Sequence, residues 1–343
     1  MLEAKKGIEL NHNVTGDVVI IGSTNGSITQ AAGKTVTGTG SVALNAATGI
    51  GASDAAISTV ADTLSFTNST SGGVYISNAK AIGVSVSGTS AGTGKISVIE
   101  TAGNIVLSDV ITGGDAVTVD STLGSISAAA DDDVVTGTSV ALNAEMGIGA
   151  SGAAISTATS ALAFDNSGSN DVYIENTLGL STDSVSVSGS NNASGSAVNM
   201  TETAGSIDLN GNVSGDTVVI ESDLGSITRT AGVVTGDSVT LKANAEIGAS
   251  GNGAAISTAA NTLMFANSAN NNVYITNAKA NGSALLVSGN GLLYTEDAAD
   301  EEDSGNLGHP LIIHNRKSVD TRHNLHRHYK MIPDPCDIQS TTM

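Results

Sequence analysis

Hydrophobic and polar residues alternate along this chain in short runs. In SVALN, Val42 and Leu44 share one parity, while Ser41, Ala43 and Asn45 share the other. Leu64 with Phe66, Val84 with Val86, Ile96 with Val98 and Ile105 with Leu107 follow the same rule. Period two over a few residues, bounded by Gly, Asn, Ser or Asp, predicts β-strands with one face buried. Through residue 291 apolar positions at helical spacing are missing, so the pattern predicts strand and turn only.

The strands belong to a longer repeat. GIGASDAAISTVADTLSFTNSTSGGVYISN (49–78) returns at 147–176 and again, two residues longer, at 246–277. A Gly-Asp pair opens each unit, at Gly16-Asp17, Gly114-Asp115 and Gly215-Asp216, with the aspartates 98 and then 101 residues apart. Phe66, Phe164 and Phe265 occupy one equivalent position, and Tyr75, Tyr173 and Tyr274 another.

So many short strands could form an antiparallel sandwich or a solenoid. A sandwich calls for two-residue hairpin turns joining paired runs. The solenoid fits better: runs of similar length, corners of Gly, Asn and Ser, and units that follow one another without a linker. With about 20 residues per coil and strands about 4.8 Å apart, residues 1–291 predict roughly 14 coils and a rod of about 70 Å. Each unit is then expected to span about five coils. The two-residue insertion at GNG (251–253) falls where a corner loop would absorb it.

Composition narrows the function classes. The 343 residues are 40% hydrophobic, nearly all small or aliphatic, with 2% aromatics and no Trp, as a narrow solenoid interior requires. Net charge is −20, which argues against binding a phosphate backbone or an anionic lipid surface and favours attraction of cations. The one cysteine, Cys336, leaves no internal disulfide, which suits passage of an unfolded chain through an outer-membrane pore. No apolar run is long enough to span a bilayer, and no secretory signal core follows Lys5 and Lys6.

TETAGSIDLNGNVSGDTVVIESDLGSIT (201–228), restated by TAGNIVLSDVITGGDAVTVDSTLGSI (101–126), resembles the repeats of bacterial filamentous-haemagglutinin-like exoproteins and autotransporter passengers. The resemblance covers residues 1–291. It implies a right-handed parallel β-helix, export through an outer-membrane translocator, display on the cell surface or secretion, and attachment to a glycan or protein on a host or neighbouring cell. Met1 falls within a repeat, since GIELNHNV (7–14) matches GSIDLNGNV (205–213), so the chain is expected to be an internal fragment or a truncated reading frame. Residues 292–343 hold all three prolines and Cys336, and are expected to be an irregular, disordered tail.

Candidate chemistry is sparse. His323, His326 and His328, with Cys336, offer zinc or copper ligands at spacings that match no strong signature. GIGASG (147–152) satisfies G-x-G-x-x-G, but no helix follows it, so it is expected to be a corner rather than a dinucleotide site. Asp131, Asp132 and Asp133, with Asp17, Asp115, Asp216 and Asp237, could hold incidental calcium, though aspartate after glycine also stabilises turns by itself. The three tyrosines have the parity of outward positions, where they could contact a receptor or cover a loop. The sequence assigns no catalytic, cofactor-binding or metal-ligating residue. The leading expectation is an adhesive rod rather than an enzyme. The alternatives are a polysaccharide-acting β-helix lyase or hydrolase, and an ice- or mineral-binding face suggested by TVTGT (35–39).

Overall fold

A computed structural model describes residues 1–296, except 181, 252, 270 and 279–284, together with 311–313. Among the described residues there is no helix. Short strands stack in parallel into a β-solenoid of about 13 turns, close to the 14 expected. At about 4.8 Å per turn the axis is about 60 Å long. Turn length ranges from 19 residues, where Ile57 pairs Ile76, to 26, where Asn176 pairs Glu202.

Two columns of strands flank a single core. One includes Val84–Ser90, Val172–Asn176 and Thr217–Ser222; the other includes Val74–Asn78, Ile96–Glu100, Ala116–Ser121 and Ser139–Ala144. Strands such as Val14–Ser23 and Val36–Ala46 turn a corner midway, so their first residues pair in one column and their last in the other. The parity expectation holds: Val42, Leu44, Leu64, Val86, Ile96, Val98, Ile105 and Leu107 are all buried in one continuous cluster. Stacking supplies both the ladder hydrogen bonds and the neighbouring apolar layers, neither of which a single turn could provide.

The unit length needs correction. The first unit lays down residues 18–23, 28–38, 41–46, 50–60, 63–68, 74–78, 84–90, 96–100 and 105–113, alternately in the two columns. That is an odd number of segments, so a unit makes four and a half turns rather than five. The second unit therefore begins with Ala116–Ser121 in the column opposite to residues 18–23, and the third returns to the starting column. Phe66 and Phe265 share one column and Phe164 lies in the other.

A half-turn is tolerated because both columns are built alike. Thr59, Asn78, Glu100, Ser121, Ala144 and Asn166 stack in register at the end of one column. Thr157, Asn176, Glu202, Ser222, Ala243 and Asn267 repeat the series at the end of the other. These buried polar groups are satisfied by one another and by nearby backbone groups. Thr157 Oγ1 donates to Asn176 Oδ1 (2.7 Å), and Asn176 Nδ2 donates to Glu202 Oε2 (2.6 Å). The other oxygen, Glu202 Oε1, accepts the backbone N–H groups of Leu178, Ala204 and Gly205 at 3.1, 3.0 and 2.9 Å. Among the described residues no buried side-chain polar atom lacks a partner.

Each phenylalanine is matched by a glycine on the next turn. Phe66 pairs Gly88, Phe164 pairs Gly189 and Phe265 pairs Gly289. A Cβ placed on Gly189 would lie 2.6 Å from Cδ1, Cδ2 and Cε1 of Phe164. Gly189→Val should therefore destabilise the central turns by about 1–3 kcal/mol, the usual cost of overpacking. Phe164→Leu in the same chain should restore much of that loss. Denaturant unfolding followed by circular dichroism measures both, and equal midpoints for single and double variants would refute the steric pairing.

The parallel ladder continues past residue 291, where the sequence repeat fades. Leu292–Glu296 pairs in parallel with Asn272–Asn277, and Leu311–Ile313 then pairs antiparallel with Leu292–Glu296. No helix among the described residues is long and apolar enough to cross a membrane.

Candidate functional site

The most repeated phrase, GIGAS–AAIST, is a bulge in a strand and not the corner expected. Ile148 pairs Val172 and Ile155 pairs Ile174, yet Val172 and Ile174 are only two residues apart in an unbroken strand. Residues 149–154 are thus pushed out of the column and closed by reciprocal backbone bonds between Ala150 and Ala153 (3.0 and 2.9 Å). Gly149 is required at the start, because its φ is +67° and a Cβ would meet the carbonyl oxygen of Tyr173 at 2.4 Å. In the third copy the flanking Ile247–Val273 and Ile256–Ile275 pairings are kept. Without a helix after it, the bulge has no terminus on which a pyrophosphate could sit.

Tyr75 and Tyr173 have the outward parity expected and are half-buried. The backbone N–H of Tyr173 donates to Ile148 O (2.7 Å), and its hydroxyl donates to Asp171 Oδ2 (3.2 Å). Burial, and then the Asp171 carboxylate, hold the Tyr173 phenol above its ordinary pKa. Tyr75 and Tyr274 lie in one column and Tyr173 in the other, a consequence of the half-turn.

The aspartates considered for calcium are spread along the shaft and engaged with neighbouring turns. Asp17 Oδ1 accepts from Thr39 Oγ1 (2.9 Å), Asp115 Oδ1 from Thr138 Oγ1 (3.4 Å), and Asp237 Oδ1 from Asn261 Nδ2 (3.1 Å). Asp216 accepts from the backbone N–H of Gly195. Asp133 folds back onto the N–H groups of Ala129 and Ala130 (3.0 and 2.7 Å), while Asp131 and Asp132 face solvent. No group of three or more His, Cys, Asp or Glu side chains comes together among the described residues. His323, His326, His328 and Cys336 lie outside the described residues.

One concavity was not foreseen. A cavity of about 420 Å³ opens on the second unit, lined by Asp120, Ser121, Thr122, Asn143, Ala144, Asp165 and Ser167. Asp120 pairs Asn143 and Asn143 pairs Asp165 on successive turns, so the two carboxylates stand two strand spacings, about 10 Å, apart along the axis. Thr122 Oγ1 donates to Asp120 Oδ1 (3.1 Å), Asn143 Nδ2 reaches Asp120 Oδ2 at 3.5 Å, and Ser190 Oγ donates to Asp165 Oδ1. No Lys, Arg or His lines the cavity. The signal for this site lay in comparing outward positions among the three units, where inward parity gives no information.

No family model, curated protein or solved structure matches the chain.

Proposed function

We propose that this chain is the adhesive shaft of a larger secreted or surface-displayed bacterial exoprotein, delivered by an outer-membrane translocator and serving attachment to a glycan or protein on a neighbouring cell. The observation that carries this reading is what the duplication keeps and what it lets vary. The inward residues, the bulge, the Phe–Gly pairs and much of the buried polar series recur in all three units. Outward positions equivalent to Asp120 and Asp165 do not: they read Gly22 and Thr67 in the first unit and Glu221 and Ala266 in the third, while that of Asn143 is Asn45 in the first and Lys242 in the third. Duplication that holds the core and frees the surface lengthens a shaft; it does not multiply a catalytic pocket. The solenoid fold by itself fits either class.

A polysaccharide lyase or hydrolase would have its carboxylates at the Asp120–Asp165 cavity, where no Lys, Arg or His stands to neutralise a uronate. Both readings are tested on one preparation. Beads coated with the full chain should be retained on cultured epithelial or bacterial cell layers, and beads coated with the heat-denatured chain should not be. The same protein, incubated with polygalacturonate, alginate and xylan, should release no reducing ends or unsaturated uronates. Turnover that disappears in Asp120→Asn would replace the adhesive reading with the enzymatic one.

A further inference from the structure

Three Asn-Gly pairs lie among the described residues, and the fold holds them differently. Asparagine before glycine is chemically weak, because no side chain shields the glycine nitrogen and its backbone turns freely. At Asn25–Gly26 that nitrogen is engaged, since the Gly26 N–H donates to Ser23 Oγ (3.1 Å). A Cβ on Gly26 would lie 2.3 Å from Gly7 N, so this glycine is also pressed against the preceding turn. At Asn290–Gly291 the side chain is held instead, because Asn290 Oδ1 accepts the Asn267 N–H (3.2 Å). The Asn210 side chain is exposed and makes no hydrogen bond among the described residues. Here the ladder also skips: Leu209 pairs Val187 and Val213 pairs Gly189, so Asn210, Gly211 and Asn212 lie opposite Ser188 alone. On the following turn Leu209 pairs Arg229 and Val213 pairs Val234, which again leaves these three unpaired. A Cβ on Gly211 would meet Ser188 Cβ at 2.7 Å, so the bulge requires glycine after Asn210.

We propose that Asn210–Gly211 is a site of self-modification, where the chain converts its own asparagine into aspartate and isoaspartate. The Gly211 nitrogen gives its proton to hydroxide or water and forms a bond to Asn210 Cγ. The Cγ–Nδ2 bond breaks, Nδ2 leaves as ammonia, and a five-membered imide closes. Water then adds to one of the two ring carbonyls. Breaking the new bond at Cγ gives aspartate, and breaking the bond at the backbone carbonyl routes the chain through Cγ as isoaspartate. Water is consumed, ammonia is released, and nothing is oxidised or reduced. The isoaspartyl product adds a methylene to the main chain. A regular ladder would lose its register there, but residues 210–212 already bulge out of it, so the pairings of Leu209 and Val213 can stay in place. At the equivalent position the first unit has Asn11-His12 and the second Ser108-Asp109, so only the third unit carries this chemistry. The site stands apart from the adhesive reading, since its only co-reactant is water.

The test is peptide mapping of the full chain by mass spectrometry after weeks in mildly alkaline buffer at body temperature, beside the same chain unfolded in urea. In the folded chain residue 210 should exchange NH₂ for OH about five- to tenfold faster than residue 25 or 290, the value of the one hydrogen bond that must open at each of those. In urea the three pairs should react at similar rates. Isoaspartate-specific methylation should label the peptide containing residue 210 from the folded chain. Asn210→Gln, whose longer side chain would have to close a six-membered ring, should stay unmodified and melt with the parent. Equal rates at the three pairs in the folded chain overturn the proposal, as does an intact Asn210 there while the unfolded chain reacts. Aspartate without isoaspartate would also overturn it, since direct hydrolysis of the amide would then have replaced attack by the Gly211 nitrogen.

Discussion

Leu142→Asp should unravel the middle of the solenoid. Leu142 is fully buried, with Val119 directly beneath it and Phe164 directly above. Shortening a buried leucine costs about 2–5 kcal/mol through lost transfer energy and the cavity left behind. A carboxylate at the same point adds a charge with no partner, and it must be protonated or drag water into the core. Because each turn is held only by its neighbours, the damage should spread a few turns along the axis and then stop. Hydrogen exchange should show lost protection from about residue 117 to residue 166, with the outer turns still protected, and limited proteolysis should give new cleavage near residue 140. Ala141→Asp, one residue away and facing outward, should stay within about 0.5 kcal/mol of the parent. Equal damage from both substitutions would overturn the assignment of inward and outward faces.

Glu202→Ala should be nearly as severe, for a different reason. The carboxylate is wholly buried and accepts four donors: the Asn176 amide and the N–H groups of Leu178, Ala204 and Gly205. Alanine abandons all four, at about 1–3 kcal/mol for each buried donor left without an acceptor. Glu202→Gln is the sharper probe. Its carbonyl could keep the three backbone donors, but its NH₂ would then face Asn176 Nδ2. Asn176 cannot turn over to help, because its own oxygen already accepts from Thr157 Oγ1 and the Thr159 N–H. Glutamine should therefore lose roughly the value of one buried charged hydrogen bond, about 1.5–3 kcal/mol. A double-mutant cycle with Asn176→Ala should be clearly non-additive, since the two side chains share one bond. Additive losses would mean that the polar series does not act as a connected network. Melting curves for these variants need a local probe beside the global one, since a stacked array does not guarantee a two-state transition.

Much of the architecture was legible because strand parity is a local property. Whether Val84 and Val86 face inward depends on their alternation with Ser85 and Ser87 and on the glycines around them, all within a few residues. The triple recurrence of Phe and Tyr positions marks a stacked repeat from the sequence alone. The bulge was misread because Gly, Ala and Ser look alike in a corner and in an excursion from a strand. The difference lies in what Ile148 and Ile155 pair with on the next turn, about twenty residues away. The Asp120–Asn143–Asp165 row was missed for a related reason: its members come from three turns, and each is an ordinary outward polar residue on its own strand.

By itself, then, the sequence determined the strands, their inward faces, their parallel stacking and the threefold duplication, because those follow from local alternation, small corner residues and self-similarity. Only the tertiary structure decided the half-integral unit, the placement of successive copies in opposite columns, the closed buried series through Asn176 and Glu202, and the cavity on the middle unit. These depend on which residue lies above which, and turns of 19 to 26 residues set that register by their individual lengths rather than by any period in the chain.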